Sequence, residues 1–421
     1  MREMKDSGIE WIGAIPFQWS IDKLKYHLKR NEPKNPGEQI VLSLYRELGV
    51  VPKDSLDDNH NVTSEDTSNY KYVRIGDFVI NKMKAWQGSV AVSDYEGIVS
   101  PAYFIYNFTD TVFYKKYFHY LLRSCYKDEF RRLSGGIREG QWDLPAEALN
   151  NTPVLIPTLS EQQTIACFLD RKSAECDALV TDIQSQIEAL EEYKRSVITE
   201  AVTKGLDPDV EMRDSGVQWI GMIPKHWKVD NPKWHFVQRK DRATKGLTQL
   251  TASQKYGVVT QEEYMEITGA KVVTVEKDFD ILKLVCPGDF IIHMRSFQGG
   301  LEYSEKYGSI SSAYVMLIPQ KTILEPRFYK WFFKSPVYID ALSSTSNLIR
   351  DGQAMRYANF IQLPIPLMPK EEQQQIADYL DSKCAEIDSI IAEKKQQIET
   401  IEEYKKSLIF EYVTGKKEIL S

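Results

Sequence analysis

The sequence predicts an α+β protein. Two mixed α/β domains of one plan, related by a pseudo-two-fold axis, are expected to be separated by a long antiparallel two-helix coiled coil. Three observations predict this. Almost all of the 421-residue chain is written twice. Each copy ends in a long stretch without glycine or proline, whose apolar residues recur at alternating spacings of three and four. The remainder of each copy consists of short β-branched and aromatic runs bounded by turn residues.

The duplication begins with MKDSGIEWIGAIPFQW (Met4–Trp19), which returns as MRDSGVQWIGMIPKHW (Met212–Trp227). Further along, RIGDFVINKMKAWQGSV from Arg74 is matched by CPGDFIIHMRSFQGGL from Cys286, and GGIREGQ from Gly135 by NLIRDGQ from Asn347. SEQQTIACFLDRKSAECDALV from Ser160 is matched by EEQQQIADYLDSKCAEIDSII from Glu371. A period of half the chain means duplicated domains, not a solenoid. Expected boundaries are 1–157 for the first domain with its opening phrase, 158–205 for the first long helix, 206–369 for the second domain, and 370–421 for the second helix. Trp11, Trp19, Trp219 and Trp227 suit a packed latch that joins each domain to the helices better than a ligand site.

Within the domains, strands are expected over 77–81, 89–93 and 102–106, and over 289–293 and 313–318 in the second copy. Helices are expected over 112–130 and 327–342, the latter started by Pro326. The heptad seam runs through Leu169, Val180, Ile183, Ile187, Leu190 and Val197, and through Leu380, Ile387, Ile391, Ile398, Ile401 and Leu408. Two equal apolar stripes in one chain most simply bury each other. The domain between them returns the chain to the start of the first helix, which makes the pairing antiparallel. Packing of each helix on its own domain is the alternative. Lys194, Lys394 and Lys405 interrupt the seam, so it is imperfect or meets another protein.

Composition bounds the function. With 42% hydrophobic and 27% charged residues, the chain has enough apolar material for packed domains. It has no apolar run long enough for a membrane helix and no apolar secretory core near Met1, and its five cysteines form no CxxC pair. A cytoplasmic protein with free thiols is therefore expected. No phosphate-binding loop, GxSxG, HExxH or dinucleotide-binding GxGxxG occurs, the NPKW at Asn231 falls short of an amino-methyltransferase motif, and the six histidines have no ligand spacing. The net charge of −7 lies in the helical segments, −4 in each, and in the joints before the domains. Residues 21–157 are neutral and 228–369 carry +4, which permits phosphate contacts on the domains.

Two loop regions concentrate polar and cationic groups at equivalent places. They supply Lys82, Lys84, Trp86, Gln87, Arg138 and Gln141 in the first copy, and His293, Arg295, Ser296, Gln298, Arg350 and Gln353 in the second. Arg and Lys suit phosphate and guanine, Gln suits adenine, and the flanking glycines permit close backbone approach. Each residue alone also suits a solvated hairpin; together the regions point to DNA. Gln87/Gln298 and Arg138/Arg350 are shared between copies and suit scaffold or phosphate roles. Differing residues, such as Lys84 and Ser296, suit the reading of different bases.

The DSGxxWIGxIPxxW phrase, the GDF strand, the proline-rich entry into an EQ-initiated long helix and the duplicated plan resemble the specificity subunit of a type I restriction–modification enzyme, over essentially the whole chain. The resemblance implies that each globular domain is a target-recognition domain reading half of a split double-stranded DNA site, and that the paired helices set the gap between the halves. It implies two modification subunits that bind S-adenosylmethionine and methylate adenine at N6, and restriction subunits that translocate and cleave DNA. The specificity subunit itself holds no active site and no cofactor. The strong divergence outside the shared motifs predicts two unlike half-sites. A non-catalytic coiled-coil scaffold whose globular domains bind protein is the second reading, and a self-sufficient nuclease or methyltransferase the third.

Overall fold

The computed structural model describes residues 2–46, 48–55, 66–136, 142–272, 281–320, 322–345 and 355–419. The chain forms two compact units, Met1–Ile183 with Gln396–Ser421, and Gln184–Lys395. Each unit therefore takes half of each long helix. No helix of the described residues is long and apolar enough to cross a membrane.

The first unit is built on a four-stranded antiparallel sheet ordered Leu28–Arg30, Tyr103–Phe108, Phe78–Asn81, Val90–Val92. Alternation along these strands splits the side chains between two cores. Phe78, Ile80, Val90, Phe104 and Tyr106 face the larger core, which also holds Leu169, Leu408 and Val413 of the long helices. Val79, Ala91 and Ile105 face a smaller one closed by Leu42, Leu44, Val50, Val73 and Val99. Those last residues belong to two ribbons, Leu42–Tyr45 with Gly49–Pro52 and Lys71–Val73 with Gly97–Val99. A third pair, Ser20–Lys23 with Pro153–Ile156, leads into the long helix.

The second unit repeats this order with Phe236–Arg239, Val315–Pro319, Phe290–Ile292 and Glu302–Tyr303. Its ribbons are Leu250–Ser253 with Gly257–Thr260 and Lys283–Val285 with Gly308–Ile310. The same alternation sends Phe290, Ile292 and Leu317 to one core and Ile291 and Met316 to the other. This unit also carries a helix, Gln261–Thr268, started by a capping box between Thr260 and Glu263.

The expected single helix of each domain is two. In the first unit Lys115–Cys125 is followed by Lys127–Leu133, and in the second Pro326–Lys334 by Pro336–Ser344. Pro336 explains the second break: it lacks an N–H, and it obliges Ser335 to adopt an extended conformation in which its side chain caps the next helix.

The long helices are Leu159–Lys204 and Lys370–Val413. In the first unit Phe168 meets Tyr412 at 4.6 Å between ring centres, and Lys405 donates to Asp177 at 2.6 Å. In the second unit Gln186 accepts from Lys394 at 2.5 Å, and Lys194 donates to Asp388 at 2.6 Å. In each unit the number rises along one helix as it falls along the other, so both segments pair antiparallel. The lysines that interrupt the seam are thus satisfied across it by the opposite helix. Of the seam positions, Leu169, Ile183, Ile187, Val197, Leu380, Ile387, Ile391 and Leu408 are buried, and Val180, Leu190, Ile398 and Ile401 half-buried.

Candidate nucleic-acid interface

The motifs common to both units build the frame that presents the site. In the opening phrase, Asp6 accepts from the Gly8 N–H and Ser7 from the Ile9 N–H, and Asp214 and Ser215 repeat this with Gly216 and Val217. These side-chain turns place Gly8 and Gly216 at φ of 70° and 74°, a left-handed conformation that favours glycine. The phrase then closes as the ribbon Met4–Asp6 with Ala14–Pro16, or Met212–Asp214 with Met222–Pro224. Its last tryptophan is fully buried, with Trp19 Nε1 donating to Glu161 at 3.3 Å and Trp227 Nε1 to Glu372 at 2.8 Å. Both acceptors lie in the first turn of a long helix. Burial of Glu161 opposes its ionisation, but donors on Trp19, Arg2 and Thr158 outweigh burial and hold its carboxyl below the usual range.

The glutamine that follows is a second fixing point. Gln162 accepts from Tyr114 N–H and donates to the carbonyls of Val112 and Pro157, and Gln373 makes the same three bonds with Glu325, Ile323 and Met368. Two turns further, Asp170 accepts from Lys116 and Tyr120, and Asp381 from Arg327 and Trp331. The GDF motif is likewise structural: Asp77 accepts from the Arg74 N–H, and Asp289 from the Cys286 N–H, each closing the turn before the central strand. Burial raises the Asp77 pKa despite the donors from Arg74 and Asn107.

On this frame, the turn after the central strand and the tip of the first ribbon come together. In the first unit, Lys82–Lys84 lead into a short 3₁₀ turn, Ala85–Gln87. Lys84 is exposed, and Met83 is 42% exposed. Trp86 lies 5.5 Å from Trp142 between ring centres, with its indole N–H bonded to the Met83 carbonyl. Arg46, at the ribbon tip, donates to Gln87. Lys82 pairs with Asp143 at 2.8 Å, and its ammonium lies 5.9 Å from the ring of Phe104, which Arg30 also covers at 4.2 Å. Cations, amides and aromatic faces on one surface suit a nucleic-acid contact.

The second unit has the same meeting of loops with different residues. Met294, Arg295 and Gln298 are exposed, and Gln254 at the ribbon tip donates to the Arg295 carbonyl at 2.9 Å. Beside it, Lys255 lies over Tyr256 at 5.2 Å. His293 and Ser296 leave the candidate set, because both are interior. The Ser296 hydroxyl accepts from the His293 N–H at 2.9 Å, and the His293 ring accepts from the Arg295 N–H at 3.2 Å, so both fix the turn from inside. The structural counterpart of Lys84 is Arg295; Ser296 corresponds to the buried Ala85. Arg138, Gln141, Arg350 and Gln353 lie outside the described residues.

Sequence reasoning missed Arg46, Trp142, Gln254, Lys255 and Tyr256. It searched motifs shared by both copies, and these residues occupy unshared positions. For all but Trp142, the signal was the turn between two alternating runs, LYRELGVV and TASQKYGVV. Among the described residues no group of three or more His, Cys, Asp or Glu side chains is placed to hold a metal.

The comparisons agree with this frame. The family profile for the type I restriction modification DNA specificity domain matches residues 22–189 and 223–400, once in each copy. The chain therefore belongs to that family, whose members are the non-catalytic DNA-recognition subunits of type I restriction–modification systems. It is 23% identical over 429 residues to the putative type I restriction enzyme MjaX specificity subunit of Methanocaldococcus jannaschii, covering 96% of this chain and 95% of that one. The MjaVIII specificity subunit of the same organism is 26% identical over 283 residues, covering 63% of this chain and 62% of its own. In fold, the chain resembles one solved in work on the assembly and conformational transition of a type I R-M system (TM-score 0.68, 13% identity, 96% of this chain and 99% of that one). It also resembles the HsdS subunit from Thermoanaerobacter tengcongensis (TM-score 0.53, 13% identity, 98% and 100%).

Proposed function

We propose that this chain reads a bipartite, asymmetric double-stranded DNA site in the cytoplasm, one half-site per globular domain. In this reading it positions two modification subunits, which carry S-adenosylmethionine, to methylate adenine at N6. Restriction subunits join the same assembly to translocate and cleave DNA. One observation carries the proposal: the two units share their latch, helix-docking and turn residues, yet differ where Arg46, Lys84, Trp86 and Trp142 stand in one and Gln254, Lys255, Tyr256 and Arg295 in the other. Equal frames with unlike tips suit two readers of unlike sequence, since loops can change specificity on a fixed scaffold.

Long-read detection of methylated adenines in cells carrying this chain with its modification partner tests it. The expected result is one motif with two different defined halves and a fixed undefined gap. A continuous motif, or identical halves, would overturn the asymmetric bipartite reading. DNA binding by the complex should fall steeply as salt rises. Binding that ignores salt, or none to any DNA, would favour the protein-binding scaffold.

A further inference from the structure

Beneath the turn Met294–Gly299 lies a set of polar side chains in which Glu302 and His293 are buried and Lys334 is half-buried. Glu302, in the edge strand of the sheet, is 2% exposed. Lys334, at the end of helix Pro326–Lys334, donates to Glu302 and, at 2.9 Å, to the carbonyl of Gly299. His293 Nε2 stands 3.6 Å from Glu302 Oε1, and the same ring receives the Arg295 N–H. The turn is thus held from below at its beginning and its end. Gly300, at φ 74°, lets the chain pass against this helix: a Cβ there would stand 1.9 Å from the Phe333 carbonyl oxygen. The buried Glu302 carboxylate needs its ammonium partner, since a buried charge left alone is costly, and that need holds Lys334 in place.

The first unit replaces this set as a group. Asn81 stands at the position of His293, Ala91 at that of Glu302, and Arg123 at that of Lys334. Asn81 accepts from the Met83 N–H, Ala91 is fully buried, and Arg123 reaches the Arg46 carbonyl of the ribbon tip. One helix end therefore holds the post-strand turn in one unit and the ribbon tip in the other.

We propose that Lys334 and Glu302 are positioning residues for DNA specificity: they fix the Arg295–Gly299 backbone, and so the aim of Arg295 and Gln298, without touching DNA. This rests on the recognition role proposed above. The test is the double variant K334M/E302Q, which removes both charges and leaves neither buried alone. Methylation-site sequencing with the full complex should show one half-site losing about tenfold in base discrimination, the loss of a single good base contact. The other half-site should stay within about twofold, and K334R, which can still donate to both acceptors, should retain the wild-type motif. Unchanged discrimination in both halves would overturn the proposal, as would equal loss in both, which marks a general effect on folding. Amide exchange on the full chain separates this device from the recognition reading. Exchange over Arg295–Gly300 should rise about tenfold in the double variant with Lys82–Gly88 unchanged, and equal exchange in both proteins would sink the device whatever the chain binds.

Discussion

His119 shows how one side chain couples the fold to pH. It sits on helix Lys115–Cys125, accepts the Val92 N–H at Nδ1, and has the Arg123 guanidinium 3.0 Å from Nε2. Burial, followed by the charge of Arg123, pushes its pKa down to about 4. The unfolded chain takes up this proton near the ordinary value of 6.5, the folded chain only near 4. Its contribution is therefore complete above 6.5 and is lost as pH falls from there towards 4. Between about pH 7 and 4.5, H119Q should lose on the order of 1–3 kcal/mol less stability than the wild type; parallel denaturation curves at the two pH values check this. At this scale the sequence was an uneven guide. Shared residues such as Trp19, Gln162 and Asp77 stood out and prove to be frame. His293 and Ser296 looked polar and available, but a turn that buries its own capping groups cannot be told from an open one by composition.

At the scale of elements, each long helix ends in a left-handed glycine set against the other copy's latch residues. Gly415, at φ 71°, faces Pro16 and Trp19; Gly205, at φ 78°, faces Pro224 and Trp227. A Cβ on Gly415 would stand 2.5 Å from Pro16, whereas on Gly205 its nearest neighbour is Trp227 at 3.4 Å. Both alanine variants carry the left-handed strain of about 1 kcal/mol. G415A adds a clash, so it should cost about 1–3 kcal/mol more than G205A, read from their thermal unfolding. Element type was legible because period and breaker residues are local signals. The long helices announced themselves by heptads without glycine or proline, and the central strands by alternation. The division of the domain helix was legible at Pro336 and passed over. The break after Cys125 has no such marker: Tyr126, fully buried, stands there without a proline.

At the scale of the whole chain, duplication was the strongest signal, since two copies of one plan constrain each other. The composition of the compact units was less visible. Linear boundaries at 157, 205 and 369 follow motif order, while the units take half of each long helix, because burial of the seam joins segments far apart in sequence. If the helices set the gap of a bipartite site, seven residues inserted into each, after Ile183 and after Lys395, keep the heptad seam and add ~10 Å. Methylome sequencing should then return the same two half-sites with a gap wider by about three base pairs; an unchanged gap would exclude the helices as spacers.

That interleaving also orders events on the ribosome. The second unit, Gln184–Lys395, possesses all its parts once Lys395 has emerged. The first-translated domain must wait for Leu408, Val413 and Gly415 before its apolar interior can close. The domain born first is sealed last, so nascent chains stalled once Lys395 has emerged, with Leu408 still inside the ribosome, should expose it to chaperones and proteases while its younger sibling is already protected.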